Sequence, residues 1–345
     1  MSRGISSMDR TMAAIRHEQP DRVPAFLNLT MHGAKALGVP LKRYFSDPEL
    51  VCKGQLLMLE RFGADSCTAF TYSSAEHEAF GGHTYFYEDG PPNSGRPIIE
   101  NIEDIDHLKE PDIDSTRSLM VTIEATRLLK DRLGEEVPIL GLIISPFSLP
   151  VMQMGFDRYF ELMYKDRSRF DALMRLNTDF EVELANRQLE AGATAIVYFD
   201  PVSSTTIIPR EKFLETGFKV AERCISRIKG PTAIHFASGR FLGIADKVAE
   251  LNVIGVGVGV EEDLAEIKRK IGDRLTIIGN LNGVEMPSWS EEDVDINVKE
   301  AIEKAAPGGG FILSDNHGEI PYQVPDKVLH DIMSAVERYG RYSGT

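Results

Sequence analysis

Eight short apolar runs alternate with amphipathic helical stretches along the chain, and this alternation constrains the fold more than any other feature. The runs are rich in β-branched residues and mostly lack polar alternation, which is typical of parallel strands buried on both faces. They are Val23–Leu29, Ala64–Tyr72, Val137–Ser145, Ala195–Asp200, Thr232–Ala237, Val253–Val258, Leu275–Leu281 and Phe311–Asp315. Eight strands alternating with helices predict an α/β fold of the (β/α)8 TIM-barrel type, formed by residues 1–345 as a single domain.

Local signals agree with this alternation. Asp47, Pro48 and Glu49 place a capping residue, a first-turn proline and an acid in the order expected at a helix start. The glycines of Gly308–Gly310 are typical of a helix end. No Gly-x-Gly-x-x-Gly motif follows the first run, which disfavours an open dinucleotide-binding sheet.

One segment departs from the pattern. Residues Ala79–Ile98 carry alternating aromatics flanked by Gly, Asp and Pro, and this predicts a β-hairpin inserted after the second strand. On the catalytic side of a barrel the insert would roof the site. The alternative is an insert that decorates the outside.

The charge balance excludes several classes of partner. The chain of 345 residues has 38 Lys and Arg against 53 Asp and Glu, a formal net charge of −15. Such a surface repels nucleic acid and anionic membranes. No apolar run approaches the roughly 18 residues of a membrane span, and the first residues lack the apolar core of a signal peptide. We therefore expect a cytoplasmic protein with no nucleic-acid or membrane partner.

The three cysteines do not form a recognisable motif. Cys52, Cys67 and Cys224 are far apart and odd in number, so the sequence predicts neither a disulfide framework nor a Cys-x-x-Cys site. Cys52 falls in a helical pattern and Cys67 in a strand pattern, and we expect both to be buried as small apolar residues.

Polar residues at the predicted strand ends are the candidates for chemistry, because barrel enzymes act at the carboxyl ends of their strands. The candidates are Asn28, His32, Tyr72, Glu76, Glu78, Asp200, His235, Glu261, Asn280 and His317. Several also have a structural interpretation. Asp200 precedes a proline as a turn start does, Asn280 is of the kind that orders a loop, and Glu261 begins a helix, where acids are favoured. The Glu76–Glu78 segment is also typical of a solvated turn.

Motifs around these positions resemble the uroporphyrinogen decarboxylase superfamily, which includes decarboxylases and corrinoid-dependent methyltransferases. The resemblance spans essentially the whole chain. It rests on Asp21–Pro24, Phe199–Pro201, Ser145–Leu149, Met154–Phe156, Ile271–Arg274, Gly279–Leu281, Gly310–Leu313 and His317–Pro321. It implies a barrel enzyme and, since relatives often form dimers, a possible homodimer.

The decarboxylase branch fits this sequence poorly. Its substrate carries eight carboxylates, which the family holds with an arginine-rich segment just after strand one. The corresponding residues 27–33 contain no arginine. A chain of net charge −15 without that cluster is not expected to bind an octa-anion.

The methyltransferase branch implies a zinc site after strands five and eight, built from His-x-Cys and a second Cys. Here His235 is followed by Phe and Ala237, and His317 stands near the second cysteine position. The resemblance therefore implies a nitrogen and oxygen zinc site of His235, His317 and one acid, Glu261 or an acid of the Glu76–Glu78 segment, with an open fourth position. The alternatives are a hydrogen-bonded buried His235 and a His317 that acts without metal.

The leading functional hypothesis is a methyltransferase that moves a methyl group from a small methylated or methoxylated compound to a corrinoid. The chain has no Asp-x-His-x-x-Gly motif, so a partner protein would carry the corrinoid. The predicted catalytic residues are His235, His317 and Asp200. The predicted substrate-binding residues are Asn28, His32, Tyr72, Glu76 and Asn280. The alternatives are a metal-free decarboxylase or lyase acting on a smaller substrate, and a non-catalytic binding protein.

Overall fold

A parallel sheet of seven strands forms the centre of the molecule. The computed structural model describes residues 4–342. The strands of the described part are β1 (Cys67–Thr68), β2 (Thr84–Tyr85), β3 (Asn93–Ser94), β4 (Ile139–Ile144), β5 (Ala195–Phe199), β6 (Thr232–His235), β7 (Gly255–Gly257), β8 (Thr276–Leu281) and β9 (Phe311–Asp315). The central sheet has the order β1-β4-β5-β6-β7-β8-β9, and every neighbouring pair is parallel. The carboxyl ends of these strands therefore meet on one side.

Helices connect the strands. They are α1 (Ser7–Ile15), α2 (His32–Leu37), α3 (Leu41–Tyr44), α4 (Pro48–Phe62), α5 (Ser74–Ala79), α6 (Arg117–Leu133), α7 (Pro150–Met154), α8 (Phe156–Lys165), α9 (Arg167–Glu190), α10 (Arg210–Glu215), α11 (Gly217–Ile225), α12 (Ala245–Val248), α13 (Leu264–Ile271), α14 (Glu291–Ala305) and α15 (Asp326–Tyr339). In the part of the chain that the structure describes, no helix is both long and apolar enough to cross a membrane.

The first predicted strand, Val23–Leu29, is not a regular strand. Its backbone nevertheless bonds on both sides: Phe26 N–H donates to Leu313 O of β9 (2.8 Å), and Asp65 N–H donates to Ala25 O (2.8 Å). Pro24 has no N–H to contribute to a ladder, which limits the regular pairing of this segment. Residues 24–26 thus lie between β9 and the residues that lead into β1, the two edges of the seven-stranded sheet.

The second strand is also shorter than predicted. Residues 64–72 were expected to be extended, but β1 covers Cys67–Thr68 alone. The hydroxyl of Thr68 donates to Leu140 O (2.9 Å) and accepts the N–H of Phe70 (3.0 Å). Because a side chain takes this backbone donor, the ladder does not continue past Thr68.

The insert contains one minimal antiparallel pair, β2 with β3, in which Thr84 faces Ser94 and Tyr85 faces Asn93. Two contacts hold its tip against the rest of the molecule. Gln323 Nε2 donates to Asp89 O (2.6 Å), and the Phe86 ring makes an edge contact with the Tyr72 ring at 5.3 Å between centroids.

A buried ionic cluster joins the segment 22–25 to the rest of the molecule at the amino-terminal side of the sheet. The carboxylate of Asp65 is fully buried and accepts from Arg10 Nη1 (2.7 Å) and Arg22 Nη1 (2.6 Å). It also accepts the N–H of Ala25 (2.9 Å). Arg22 also forms an ion pair with Glu337 of α15 (2.7 Å).

All three cysteines are buried and free, as predicted for Cys52 and Cys67.

Candidate active site

A cavity of about 120 Å³ opens at the carboxyl ends of the strands, under the tip of the insert. Its wall contains Phe70, Tyr72, Ser73, Pro91, Pro92, Leu142, Ile144, Phe199, His317, Gly318 and Glu319. Pro92 is buried, although the neighbouring Pro91 and Asn93 are exposed. The insert therefore covers the strand-end side rather than the outside of the sheet, and we call this space the mouth cavity. A second cavity of about 80 Å³ lies next to it inside the sheet, and His235 and Asn28 line it.

His235 ends β6 and has a fixed orientation. Its Nδ1 accepts the N–H of Ala237 (2.9 Å), so in the neutral ring the hydrogen is on Nε2. Ala237 makes this bond from a left-handed conformation, with φ of 51°. The ring lies 5.5 Å from the Phe199 ring and against Gly257, where a Cβ would come within 2.1 Å of its Cδ2. Burial, followed by nearby His317, lowers the pKa of His235 to about 4, so the ring is neutral at pH 7 and presents a donor.

His317 lies in the loop after β9 and presents a hydrogen-bond acceptor where His235 presents a donor. Gly283 N–H donates to Asn316 Oδ1 (3.2 Å), which identifies that atom as the amide oxygen. His317 Nδ1 lies 2.7 Å from the same oxygen and so carries the hydrogen of a neutral ring. Asp315 Oδ2 accepts the N–H groups of His317 (2.9 Å) and Gly318 (2.8 Å). The loop therefore holds Nε2 of His317 as an acceptor.

Glu319 is the acid that the sequence analysis missed as a site residue. It lines the mouth cavity two positions after His317. Burial, together with the charge of Asp315, raises the pKa of Glu319 to about 7. At neutral pH much of this group is therefore protonated and able to donate. The signal in the sequence was an acid inside the His317–Pro321 motif, which we used only for the family resemblance.

The remaining polar groups of the wall are supported from nearby loops. The Tyr72 hydroxyl lies 3.4 Å from both carboxylate oxygens of Glu78, and burial raises the Tyr72 pKa above its usual range. Asn28 Nδ2 donates to Asp315 Oδ1 (3.3 Å) and to Ser314 Oγ (3.4 Å). Tyr72 lies in the wall of the mouth cavity, and Asn28 lies in the wall of the second, smaller cavity.

Glu76 is buried behind this wall. Its carboxylate accepts the N–H of Ile144 at the end of β4 (3.0 and 3.2 Å). Burial raises the pKa of Glu76 to about 8, and burial with the neighbouring Glu76 charge raises that of Glu181 on α9. Because burial penalises the charged form of both neighbouring groups, the carboxyl groups of Glu76 and Glu181 favour their protonated state. Glu76 does not line the mouth cavity and is not in a solvated turn.

Asp200 has a structural environment. It is fully buried at the end of β5, and its Oδ1 accepts the hydroxyls of Ser145 (2.6 Å) and Ser148 (2.7 Å). These bonds join the loop after β4 to the end of β5. The Asp200 carboxylate does not line either strand-end cavity.

Besides Glu76 and Asp200, three further predicted site residues lie away from both cavities. His32 is buried at the start of α2, and burial lowers its pKa to about 4. Asn280 Nδ2 donates to Gly259 O (3.0 Å), and so orders a loop. Glu261 is on the outer surface, where 61% of its side chain is exposed and it lies 3.7 Å from Arg240.

The predicted zinc site does not form, because Glu261 is not brought to the two histidines. Among residues 4–342, no group of three or more His, Cys, Asp and Glu side chains is arranged to hold a metal ion. The hydrogen bonds of His235 also disfavour a metal. Metal-bound histidines usually donate their second ring N–H to an acceptor. Nδ1 of His235 instead accepts from Ala237, so in the neutral ring the hydrogen is on Nε2, the nitrogen that would bind the metal. These donors do not fit zinc.

The site therefore combines a neutral donor at His235, an acceptor at His317 and a protonatable acid at Glu319. Parallel strands that direct such groups toward a covered cavity define an α/β enzyme that acts at its strand ends.

Comparison with known proteins identifies the family. The sequence model described as uroporphyrinogen decarboxylase (URO-D) matches residues 6–339, so the chain belongs to the uroporphyrinogen decarboxylase family, and it is an enzyme of this family. It is 27% identical over 310 residues to a uroporphyrinogen decarboxylase of Methylococcus capsulatus, covering 85% of this chain and 87% of that protein. It is 26% identical over 340 residues to the methylcobamide:CoM methyltransferase MtbA of Methanosarcina acetivorans, covering 96% and 97%.

A solved structure supports the fold. A methyltransferase from Methanosarcina mazei superimposes with a TM-score of 0.87 at 21% identity, covering 97% of this chain and 99% of that one. At this identity the likeness concerns the fold alone.

Proposed function

We propose that the chain is a methyltransferase that moves a methyl group from a small oxygen-linked donor to a corrinoid carried by a separate protein. We also propose that residues 24–26 occupy the position of the eighth strand, between β9 and β1, and so close the sheet into a barrel. The observation that carries the function is the lining of the mouth cavity, which has one acid and one histidine but, among the described residues, no lysine or arginine. Such a lining does not bind the polycarboxylate of the decarboxylases. The similarity to a methylcobamide:CoM methyltransferase over nearly the whole chain supports the same branch.

The chain's own groups can assist departure of an oxygen. In the proposed step the methyl–oxygen bond breaks, its electron pair stays on the oxygen, and Glu319 transfers its proton there. The reduced corrinoid of the partner would supply the electron pair for the new bond to the methyl carbon, so the methyl group would pass to it as the protonated oxygen departs. His317 lies in the same wall and presents Nε2 as an acceptor. No metal is needed for this step, because a carboxylic acid supplies the proton that neutralises the leaving oxygen.

Exposed apolar side chains on strand-end loops support a docking face. Ile207 follows β5 and Val284 follows β8, with 39% and 67% of their surfaces exposed. Tyr85 and Tyr87 in the insert are 56% and 52% exposed. Apolar groups that remain exposed around a cavity are typical of an interaction surface, and a protein carrying a corrinoid is the partner that the proposed reaction needs.

The test measures methylation of the corrinoid directly. The purified chain is mixed anaerobically with a Co(I) corrinoid protein and small methyl ethers, and the methylated corrinoid is detected by its absorbance. We expect methylation that slows as pH rises past about 7, since Glu319 then loses its proton. Glu319→Gln should lower the rate roughly 100-fold, whereas Glu103→Gln, at an exposed site, should not.

Two results would contradict the proposal. The first is that no ether yields methylated corrinoid. The second is release of carbon dioxide from a small carboxylic acid, which would favour the decarboxylase alternative. A chelator should leave the rate unchanged, and stoichiometric zinc in the purified protein would reject the metal-free step.

A further inference from the structure

The mouth cavity has a largely apolar wall that also contains four polar residues. The apolar part includes Phe70, Leu142, Ile144 and Phe199. The polar residues, which we call the polar end, follow β1 and β9 in the chain and are Tyr72, Ser73, His317 and Glu319. A ligand in this space therefore buries an apolar body and presents few polar atoms.

The charge at the polar end is unsuited to an anion. Glu319 is in the wall itself, and Asp315 lies directly behind it, where it accepts the N–H groups of His317 and Gly318. In the described part of the chain the cavity wall has no lysine or arginine. A carboxylate bound here would lose its water without gaining a counter-ion, a cost of several kcal/mol.

The insert limits the length of the ligand. Buried Pro92 forms part of the cavity wall beneath the tip of the insert. The bond from Gln323 Nε2 to Asp89 O (2.6 Å) and the contact between Phe86 and Tyr72 hold this tip in place. The cavity volume of about 120 Å³ is comparable to the roughly 150 Å³ cavity that admits benzene in another protein.

We propose that the mouth cavity selects an uncharged methyl ether no larger than about one six-membered ring, with its apolar body against Phe199 and Pro92 and its oxygen toward His317 and Glu319. This inference rests on the proposed function for the identity of the reacting group. Pro92 is then a specificity-determining residue that sets the size limit, and the absence of a cation in the wall sets the charge limit.

Binding to the full chain tests the inference without catalysis. Isothermal titration calorimetry at pH 7 compares methoxybenzene with 4-methoxybenzoate, which differ by one carboxylate. We expect the benzoate to bind at least 100-fold more weakly. The two-ring ether 2-methoxynaphthalene should bind at least tenfold more weakly than methoxybenzene, and Gln323→Ala, which frees the tip, should narrow that difference.

A gain-of-binding variant gives an independent readout. Ser73→Lys places a cation at the polar end and should strengthen 4-methoxybenzoate binding at least tenfold. Ser226→Lys, at an exposed position on the outside, should not. Thermal unfolding of both variants checks that they fold, and the wild-type comparison needs no variant.

The outcomes separate the two proposals. Equal affinity for methoxybenzene and its carboxylate, or no binding of either, overturns the inference about the substrate. If methoxybenzene binds with the expected preference but never methylates a Co(I) corrinoid, the binding class holds and the proposed function fails.

Discussion

At the scale of single residues, the orientation of His235 depends on its neighbours rather than on a metal. Gly257 leaves room for the imidazole on the adjacent strand β7. Ala237 donates its N–H to Nδ1 and so determines that Nε2 carries the hydrogen. The space for the ring depends on the lack of a Cβ at Gly257, whereas the donor at Ala237 is a backbone group.

Gly257→Ala should therefore displace the imidazole. Its Cβ would lie 2.1 Å from Cδ2 of His235, a distance at which the ring must move. We expect a 10- to 100-fold loss of methyl transfer, because displacements of about 1 Å have effects of this size. The activity is measured beside the thermal midpoint to separate displacement from unfolding.

Gly230→Ala is the matched control, since its Cβ would meet the flexible end of Leu189 far from the site. It should retain most of the activity. A Gly257→Ala enzyme with unchanged transfer would show that the position of His235 is not important.

Sequence reasoning located some of these residues and not others. His235 and His317 lie at strand ends as predicted, because strand ends can be read from where an apolar run stops. Glu261 was expected to join them, but the sequence contains no information on which way a loop carries a side chain. Glu319 was missed since its significance depends on burial beside Asp315, a contact that only the folded chain makes.

At the scale of elements, Glu76 connects α5 to β4. Its carboxylate holds the last N–H of that strand, at Ile144, and Glu181 of α9 lies beside it. The sequence predicted the strand and the acid but interpreted the acid as a substrate-binding residue, a metal ligand or part of a solvated turn. The bond across 68 positions has no local signature.

Raising the pH should weaken this connection. The folded-state pKa of Glu76, about 8, lies above the unfolded value of about 4.3. Its contribution to stability is thus fully present below that unfolded value and is lost as the pH rises through about 8. We expect the contribution of Glu76 to the free energy of unfolding, taken as the difference between the wild type and Glu76→Gln, to fall by roughly 3–5 kcal/mol between pH 5 and 9.

Denaturant titrations of Glu76→Gln over the same pH range should lack this loss, since the amide does not titrate. Exposed Glu135→Gln should match the wild type. A difference between the wild type and Glu76→Gln that does not shrink as the pH rises would refute the assignment.

At the scale of the whole molecule, the cluster around Asp65 joins α1, the segment 22–25 and, through Arg22 and Glu337, α15. The motif Asp21–Pro24 contributed to the family resemblance, and its physical role is now clear. Arg22 pairs with Asp65, and Pro24 accepts at O from Leu313 N–H (2.9 Å). The motif holds residues 24–26 beside β9.

Asp65→Ala should therefore destabilise the entire fold. It leaves Arg10 and Arg22 without their buried partner, and we expect a loss of roughly 3–5 kcal/mol in the free energy of unfolding. Glu124→Ala removes the exposed ion pair with Arg117 and should cost less than about 1 kcal/mol. Equal losses in the two variants would show that the cluster contributes no more than a surface pair.

The pairing of residues 24–26 with β9 has a consequence for how the chain folds. The hydroxyl of Ser314 donates to Phe26 O, 288 positions away along the chain, and Arg22 reaches Glu337. Residues 24–26 therefore find their neighbour only after the long intervening part of the chain has been synthesised. Contacts of this sequence separation are slow to form, so we expect the pairing of residues 24–26 with β9 to form last, after β4 to β8 have assembled.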